Sequence, residues 1–214
     1  DTILRALAPA LPERIPAAHK GDMGGYAIFG TNSKTGRRYV CQNIIGGGWG
    51  GRPFEDGVSS AVSMCQGDVK NTPIELQELY YPLLYGCHAF RTDSGGAGKF
   101  RGGNGVEIKV RPLENFFLSR NTDRIKCPPW GLLGGAAAMV NETRIQRNGS
   151  EEVLPGKFSH LLVQPGETVT FFTAGGGGYG DPAERDVAAV KRDVELGYVS
   201  TDRAQRDYPA ARKN

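Results

Sequence analysis

The sequence predicts an α+β fold that is mainly β: a β-rich core with glycine-rich loops and helices at the C-terminal end. Three observations carry this. Short segments alternate apolar and polar residues with the period of a strand, most clearly at Gly105–Arg111, where Val106, Ile108 and Val110 alternate with Glu107, Lys109 and Arg111. Glycine is abundant, 31 residues where the usual share of about 7% would give roughly 15. The glycines cluster at 46–51, 95–105, 131–135 and 175–180 without a period, the pattern of tight turns rather than of a fibre or a linker. Helix signals, in contrast, gather after Asp181.

In chain order, Ile3, Leu4, Leu7 and Leu11 predict a short amphipathic helix over Thr2–Leu11, ended by Pro12 and Pro16. Tyr26–Phe29 and Arg38–Ile45 read as a hairpin turning at Asn32–Gly36. A long glycine-rich loop follows from 46, then a turn-like start at Asn71-Thr72-Pro73 and an apolar run. Residues 115–124 form another strand, and 126–135 a loop. Asn148-Gly149 is a strong hairpin signal within 141–155. Two short strands flank Pro165-Gly166. Asp181-Pro182 caps and opens a helix with Val187, Val190 and Val194 on one face, stopped by Gly197. Ser200-Thr201-Asp202 starts a second helix reaching about Tyr208.

Composition excludes several classes. The net charge is +3, with basic residues matched locally by acidic ones and no Lys/Arg block, so nucleic acid is not an expected partner. With neither a signal peptide nor a long apolar run, the expectation is a cytoplasmic protein without membrane association. Cys41, Cys65, Cys87 and Cys127 share no CxxC spacing and read as buried reduced thiols. Cys87 and His88 adjoin but would point to opposite faces of a strand, so no metal pair is expected there. The matches to the glycosylation triplet at Asn141 and Asn148 are chance in a cytosolic protein. The chain opens on Asp1 rather than Met, which suggests a fragment, a processed chain or the tail half of something longer.

The candidate chemistry lies in the glycine-rich loops. Gly175–Gly178 follow a strand and precede a helix, where backbone N–H groups can cradle a phosphate or two backbones can pass closely. A dinucleotide fingerprint wants a following strand, and none is predicted after the helix. A P-loop wants Gly-Lys-Ser/Thr, but the loop ends Gly178-Tyr179-Gly180-Asp181, and Asp181 would repel phosphate. Close packing that docks the terminal helix is the favoured reading.

The loop at 46–57 holds Trp49, Arg52, Glu55 and Asp56. Either it faces substrate, with Arg52 pairing a carboxylate or phosphate, or an Arg52–Asp56 salt bridge orders it. The loop at 93–105 holds Asp93, Ser94, Lys99 and Arg101, and is favoured as a turn cluster with Asp93 bonding loop amides. Glu75 and Glu78 could face one side of a helical turn as an acid/base pair. A solvated face, or pairing with Arg91 or Arg101, is favoured. His19, His88 and His160 are far apart and read as structural, His160 in a core or edge position.

The stretches at 46–57, 71–83, 93–105 and 174–200, in this order and spacing, resemble the C-terminal part of the hydantoinase B/oxoprolinase family over nearly the whole chain. The resemblance implies the C-terminal region of a B-type subunit over 1–214, with the β-rich core at 1–180 and terminal helices at 181–208. It implies an ATP-dependent enzyme opening a cyclic amide, or alternatively carboxylating a ketone. A third alternative is a non-catalytic β module for subunit assembly.

On this resemblance an A-type subunit binds ATP and phosphorylates the substrate oxygen. The implied partners are that hydantoinase A-like subunit and the N-terminal half of the B-type subunit, in a hetero-oligomer. ATP and a divalent metal are expected elsewhere in the complex, with no cofactor or metal ligand in this segment. Arg52, Asp56, Asp93 and Arg101 are the expected catalytic residues, for orientation and charge stabilisation, and Trp49, Glu75 and Glu78 the expected substrate-binding ones. The stretch 206–214 departs from the family's usual ending.

Overall fold

The structure, a computed structural model, describes residues 1–63, 66 and 69–210. Cys65 and the last four positions of the 206–214 ending lie outside the described residues.

Among the described residues nine strands form two antiparallel sheets. They are β1 (Tyr26–Thr31), β2 (Arg38–Asn43), β3 (Leu83–Phe90), β4 (Val106–Pro112), β5 (Phe116–Asn121), β6 (Glu142–Arg147), β7 (Ser150–Leu154), β8 (Lys157–Val163) and β9 (Thr168–Phe172). A four-stranded sheet has the order β2-β1-β5-β8 and a five-stranded sheet the order β3-β4-β9-β6-β7. Alternation sets the inner faces. Ile28, Phe116, Leu118 and Val163 from one sheet join Leu83, Val106, Ile108, Val110, Ile145, Val169 and Phe171 from the other in one buried cluster. The mainly β expectation holds.

Local chemistry explains the turns. Between β1 and β2, Asn32 Oδ1 accepts from the N–H groups of Lys34 and Thr35, and Gly36 takes φ 65°. Between β6 and β7, Asn148 (φ 51°) and Gly149 (φ 74°) give the two-residue turn with both φ positive that matches strand twist. The Pro165-Gly166 turn behaves differently. The strands it joins, β8 and β9, lie in different sheets, so it carries the chain across the sandwich. The apolar run after Asn71 divides into helix α2 (Ile74–Tyr80) and strand β3.

The helices depart from expectation in extent. Helix α1 covers Thr2–Leu7, shorter than Thr2–Leu11, with turns bridging to Pro12. The helix expected from Pro182 to Gly197 is two pieces. A single 3-10 turn (Pro182–Glu184) is capped by Asp181, and α3 (Val187–Glu195) by Asp186. Arg185 breaks the run because it is extended (φ −67°, ψ 134°) and drives its side chain inward. Helix α4 (Thr201–Asp207) is capped by Ser200, as expected. Among the described residues no helix is long and apolar enough to cross a membrane. The cysteine expectation needs correction: Cys41 is buried, but Cys87 is half-buried and Cys127 exposed, all three free.

Beside the sandwich lies a second packing system made of backbone. Segments 17–18, 46–51, 95–103, 130–139 and 174–180 run alongside one another, joined outside any regular ladder. Along 175–179 the N–H groups rotate among three neighbours. Gly175 and Gly178 donate to Met139 and Ala136, Gly176 and Tyr179 to Gly103 and Phe100, and Gly177 to Ala18. Likewise Gly48 and Gly51 donate to Ala174 and Gly177. That period of three is the repeat of an extended left-handed helix with no internal bonds.

Candidate functional site

The loop at 46–57 is fixed to this glycine bundle along its first half. A Cβ on Gly48, Gly50, Gly51 or Gly57 would run into neighbouring backbone, closer than real Cβ atoms approach. Trp49 therefore has a defined position. Its indole N–H donates to the Val62 carbonyl (2.6 Å), and its ring stacks on His19 (5.3 Å between centroids). A surface cavity of about 380 Å³ opens beside it, lined in part by Gly46, Trp49, Ser60, Ala61, Val62 and Asn71. Ser60 sits in the cavity wall at φ 54°, a left-handed conformation uncommon for a non-glycine residue.

His19 is buried, and its Nδ1 accepts from the Gly50 N–H (2.8 Å), which puts the ring proton on Nε2. Burial, with help from the Arg52 charge, pushes its pKa down to about 4, so the ring is neutral at physiological pH. The reading of His19 as structural stands on this bond. What it stabilises is the loop that carries Trp49.

The expected site residues separate into two groups. Arg52 is at the surface, 34% exposed, paired with Glu55 at 2.9 Å and lying over Phe54. The alternative Arg52–Asp56 bridge is thus replaced by one at i+3. Asp56 turns inward instead, and takes both guanidinium N–H groups of Arg185 at 2.7 Å each as well as the Arg101 backbone N–H. Arg185 also binds Asp193 (2.7 Å), which accepts from Arg101 Nε (3.0 Å). In the chain Asp56–Arg185–Asp193–Arg101 the last three are buried and Asp56 is about a third exposed (35%), and together they tie α3 to the glycine-rich loops. Burial works against the Arg185 charge, yet its bonds to Asp56 and the Asp193 charge outweigh this and raise its pKa.

Asp93 also serves the C-terminal helices. It holds φ 65°, its carboxylate accepts from the Ser200 N–H (2.7 Å), and its carbonyl accepts from Arg203. The bond goes to the α4 cap rather than to its own loop. Glu75 and Glu78 do lie on a helical turn, α2, but Glu78 accepts from the Tyr85 N–H (2.7 Å) while Glu75 is exposed. Neither pairs with Arg91 or Arg101, which bind Glu142 and Asp193. The structure therefore brings Trp49 and Arg52 onto one loop, joins Asp56 to Arg101 beneath it, and leaves Asp93, Glu75 and Glu78 elsewhere.

Two further buried polar groups carry no local sequence signal. Tyr26, Tyr85, Asn43 and Gln77 form a hydrogen-bonded set beside Cys41, and burial pushes the Tyr26 hydroxyl up to about 12. Lys20, Asp22, Thr122 and Asn141 form another, with Arg120 stacked over Phe171 at 4.8 Å. Asn141 is wholly engaged here, since its carbonyl oxygen accepts from the Ala174 N–H and its amide donates to Asp22 and Asp123.

The arrangement does not fit a nucleotide at the glycine run. The N–H groups from Gly175 to Gly178 and of Gly180 are all committed to protein carbonyls, leaving none to receive phosphate. Nor do three His, Cys, Asp or Glu side chains converge as a metal site among the described residues.

The family model described as hydantoinase B/oxoprolinase matches residues 1–182. An uncharacterized protein of Methanocaldococcus jannaschii is 39% identical over 97% of this chain and 36% of its own length. The caprolactamase subunit beta of Pseudomonas jessenii is 33% identical over 97% of this chain and 37% of its own. The crystal structure of that organism's ATP-dependent caprolactamase superposes with a TM-score of 0.85 at 31% identity, covering 95% of this chain and 37% of that one. The acetophenone carboxylase delta subunit of Aromatoleum aromaticum is 29% identical over 89% of this chain and 33% of its own. The chain thus spans little more than a third of the length of these relatives.

Proposed function

The chain belongs to the hydantoinase B/oxoprolinase family, and from that premise we propose that it is one part of an ATP-dependent enzyme that opens a cyclic amide. ATP is bound by a partner A-type subunit in a cytoplasmic hetero-oligomer. The observation that carries this reading is the likeness to caprolactamase, in sequence and in fold, along nearly the whole chain. The reading assigns ATP and the divalent metal to the rest of the complex. The saturated glycine run supports this assignment for ATP.

Within this chain the cavity beside Trp49 is the candidate contact with substrate. Its wall offers an indole ring beside polar side chains, a suitable surface for a small ring carrying an amide. Arg52, at the rim of the same loop, supplies positive charge where a phosphorylated or carboxylate species would pass. Asp56 and Arg101 act on the site through the loop that they hold.

Ketone carboxylation is the second reading, favoured by the likeness to the acetophenone carboxylase subunit. One assay separates the two. The chain is purified with its A-type companion, and ATP hydrolysis is followed with lactams, hydantoins or 5-oxoproline, and separately with ketones plus bicarbonate. ATP turnover dependent on a cyclic amide supports the first reading, and turnover dependent on ketone and bicarbonate supports the second. An absence of both under conditions where the complex assembles leaves a non-catalytic assembly module. In the active complex, Arg52→Ala is expected to lower turnover without changing assembly; unaltered kinetics would remove Arg52 from the site.

A further inference from the structure

The two sheets turn unlike faces outward. On the five-stranded sheet the outward face carries charged residues that pair with one another: Lys109 binds Glu107 along β4 at 2.8 Å, and Arg144 binds Glu142 along β6 and, at 2.9 Å, Glu151 across on β7, with Phe172 covered by the Arg91 and Arg144 guanidinium groups and Val153 exposed among them. This is the usual solvated face of an antiparallel sheet.

The four-stranded sheet differs. Its register sets Val40 of β2 opposite Phe29 of β1, Phe29 opposite Phe117 of β5, and Phe117 opposite Leu162 of β8. One apolar row therefore crosses all four strands on the outer side, roughly 14 Å long at ~4.8 Å between strands. Val40 is 61% exposed, Phe117 40% and Leu162 41%. His160 adds an imidazole at 5.1 Å from the Phe29 ring; it holds φ 57° where β8 carries one residue more than β5, two residues standing opposite Ser119. Polar neighbours flank the row, Thr31 and Arg38 on one side, Gln42 and Ser119 on the other. An apolar centre with a polar rim is the anatomy of an interface.

We propose that this row is the seat of the remaining part of a B-type polypeptide, the portion of the family's B-type chain that lies outside these 214 residues. The proposal rests on the family reading above. Two facts select this occupant. The relatives are close to three times as long as the stretch they share with this chain, so about two thirds of their length is available to cover it. The row also offers a few hundred Å² at most, short of the ~800 Å² per partner that a free-standing dimer needs. A patch of that size suits a segment held by further contacts in the same subunit, not a second copy bound through this face alone.

The test places a photoreactive benzoylphenylalanine at Phe117 and, in a separate protein, at Lys109 on the charged face. Each is expressed with the full B-type complement and the A-type companion, and the cross-linked peptides are read by mass spectrometry. The expected adduct at Phe117 falls in B-type sequence outside these 214 residues, at least tenfold more abundant than any such adduct from Lys109. A second copy of this chain, an A-type peptide, or no adduct at Phe117 would overturn the proposal. Because a probe in the row could disturb packing, the paired change Val40→Lys with Leu162→Glu provides a second readout. It should lower co-purification with the rest of the B-type polypeptide at least tenfold while thermal unfolding stays within a few degrees; unchanged co-purification counts against the seat. ATP hydrolysis dependent on a cyclic amide is measured in the same preparations. The expected adduct without that turnover retains the docking face and removes the proposed reaction, while turnover with a different adduct does the reverse.

Discussion

The β-sandwich and the glycine bundle beside it solve the same problem by opposite means. The sandwich is held by side chains, with Ile28, Leu118, Val110 and Phe171 filling the space between sheets whose backbones stand ~10 Å apart. In the bundle the backbones themselves touch, and nearly every glycine is placed where a Cβ would overlap a neighbouring carbonyl. The first therefore tolerates a change of shape that conserves volume. The second has no volume to exchange, since one added carbon displaces a main chain and its hydrogen bonds. The bundle is also the part that carries Trp49 and receives the C-terminal helices. Positional accuracy there comes from backbone contact rather than from side-chain packing.

The sharpest break of this contrast is Gly177→Val. Its new side chain would meet the Trp130 carbonyl and the Gly131 N–H, and the loss is expected to exceed the ~1–3 kcal/mol usual for overpacking. Chemical denaturation checks it. A variant that melts like the wild type, while the assembled enzyme loses activity, would turn the glycine run from a packing device into a site.

Next in size is Arg185→Met, which leaves Asp193 buried without that partner and Asp56 without its bidentate one. About 3–5 kcal/mol is expected, read by denaturation and by early proteolysis after α3 loosens. A loss under 1 kcal/mol would mean that the helices dock by Val190 and Tyr208 alone.

The third prediction concerns pH. His19 is held neutral, with its folded pKa at about 4 against an ordinary 6.5. The unfolded chain takes up a proton that the folded one refuses between these values, so stability falls as pH drops through that window and is fully present above it. The contribution is on the order of 3 kcal/mol across the window. His19→Gln should flatten the dependence of the melting temperature between pH 6.5 and 4; an unchanged slope would place the acid sensitivity elsewhere.

The smallest effect is a control. Gly149 has a positive φ but nothing within 4 Å of its missing Cβ, so Gly149→Ala should cost only about 1 kcal/mol of backbone strain. A cost as large as that of Gly177→Val would erase the distinction between glycines chosen for conformation and glycines chosen for closeness.

Much of the sandwich was legible in the sequence because its determinants are local. Alternation at 106–110, the Asn148-Gly149 turn and the Ser200 cap each work within a few residues, and each appears in the structure where expected. The four glycine clusters were equally legible as clusters, and close packing was the favoured reading of the last of them. What no window of sequence contains is the partner of a long-range contact. Arg185 gave no signal, yet it breaks a helix to reach Asp56, which is 129 residues away. Asp193, beside the expected apolar positions Val190 and Val194, is buried between two arginines. The same holds for His19, whose role depends on Gly50, and for Arg52, which took Glu55 and left Asp56 to the buried Arg185. The sequence by itself determined the strands, the turns, the caps and the family. Only the tertiary structure decided which charges face inward and which glycines touch, because both depend on what the folded chain brings alongside them.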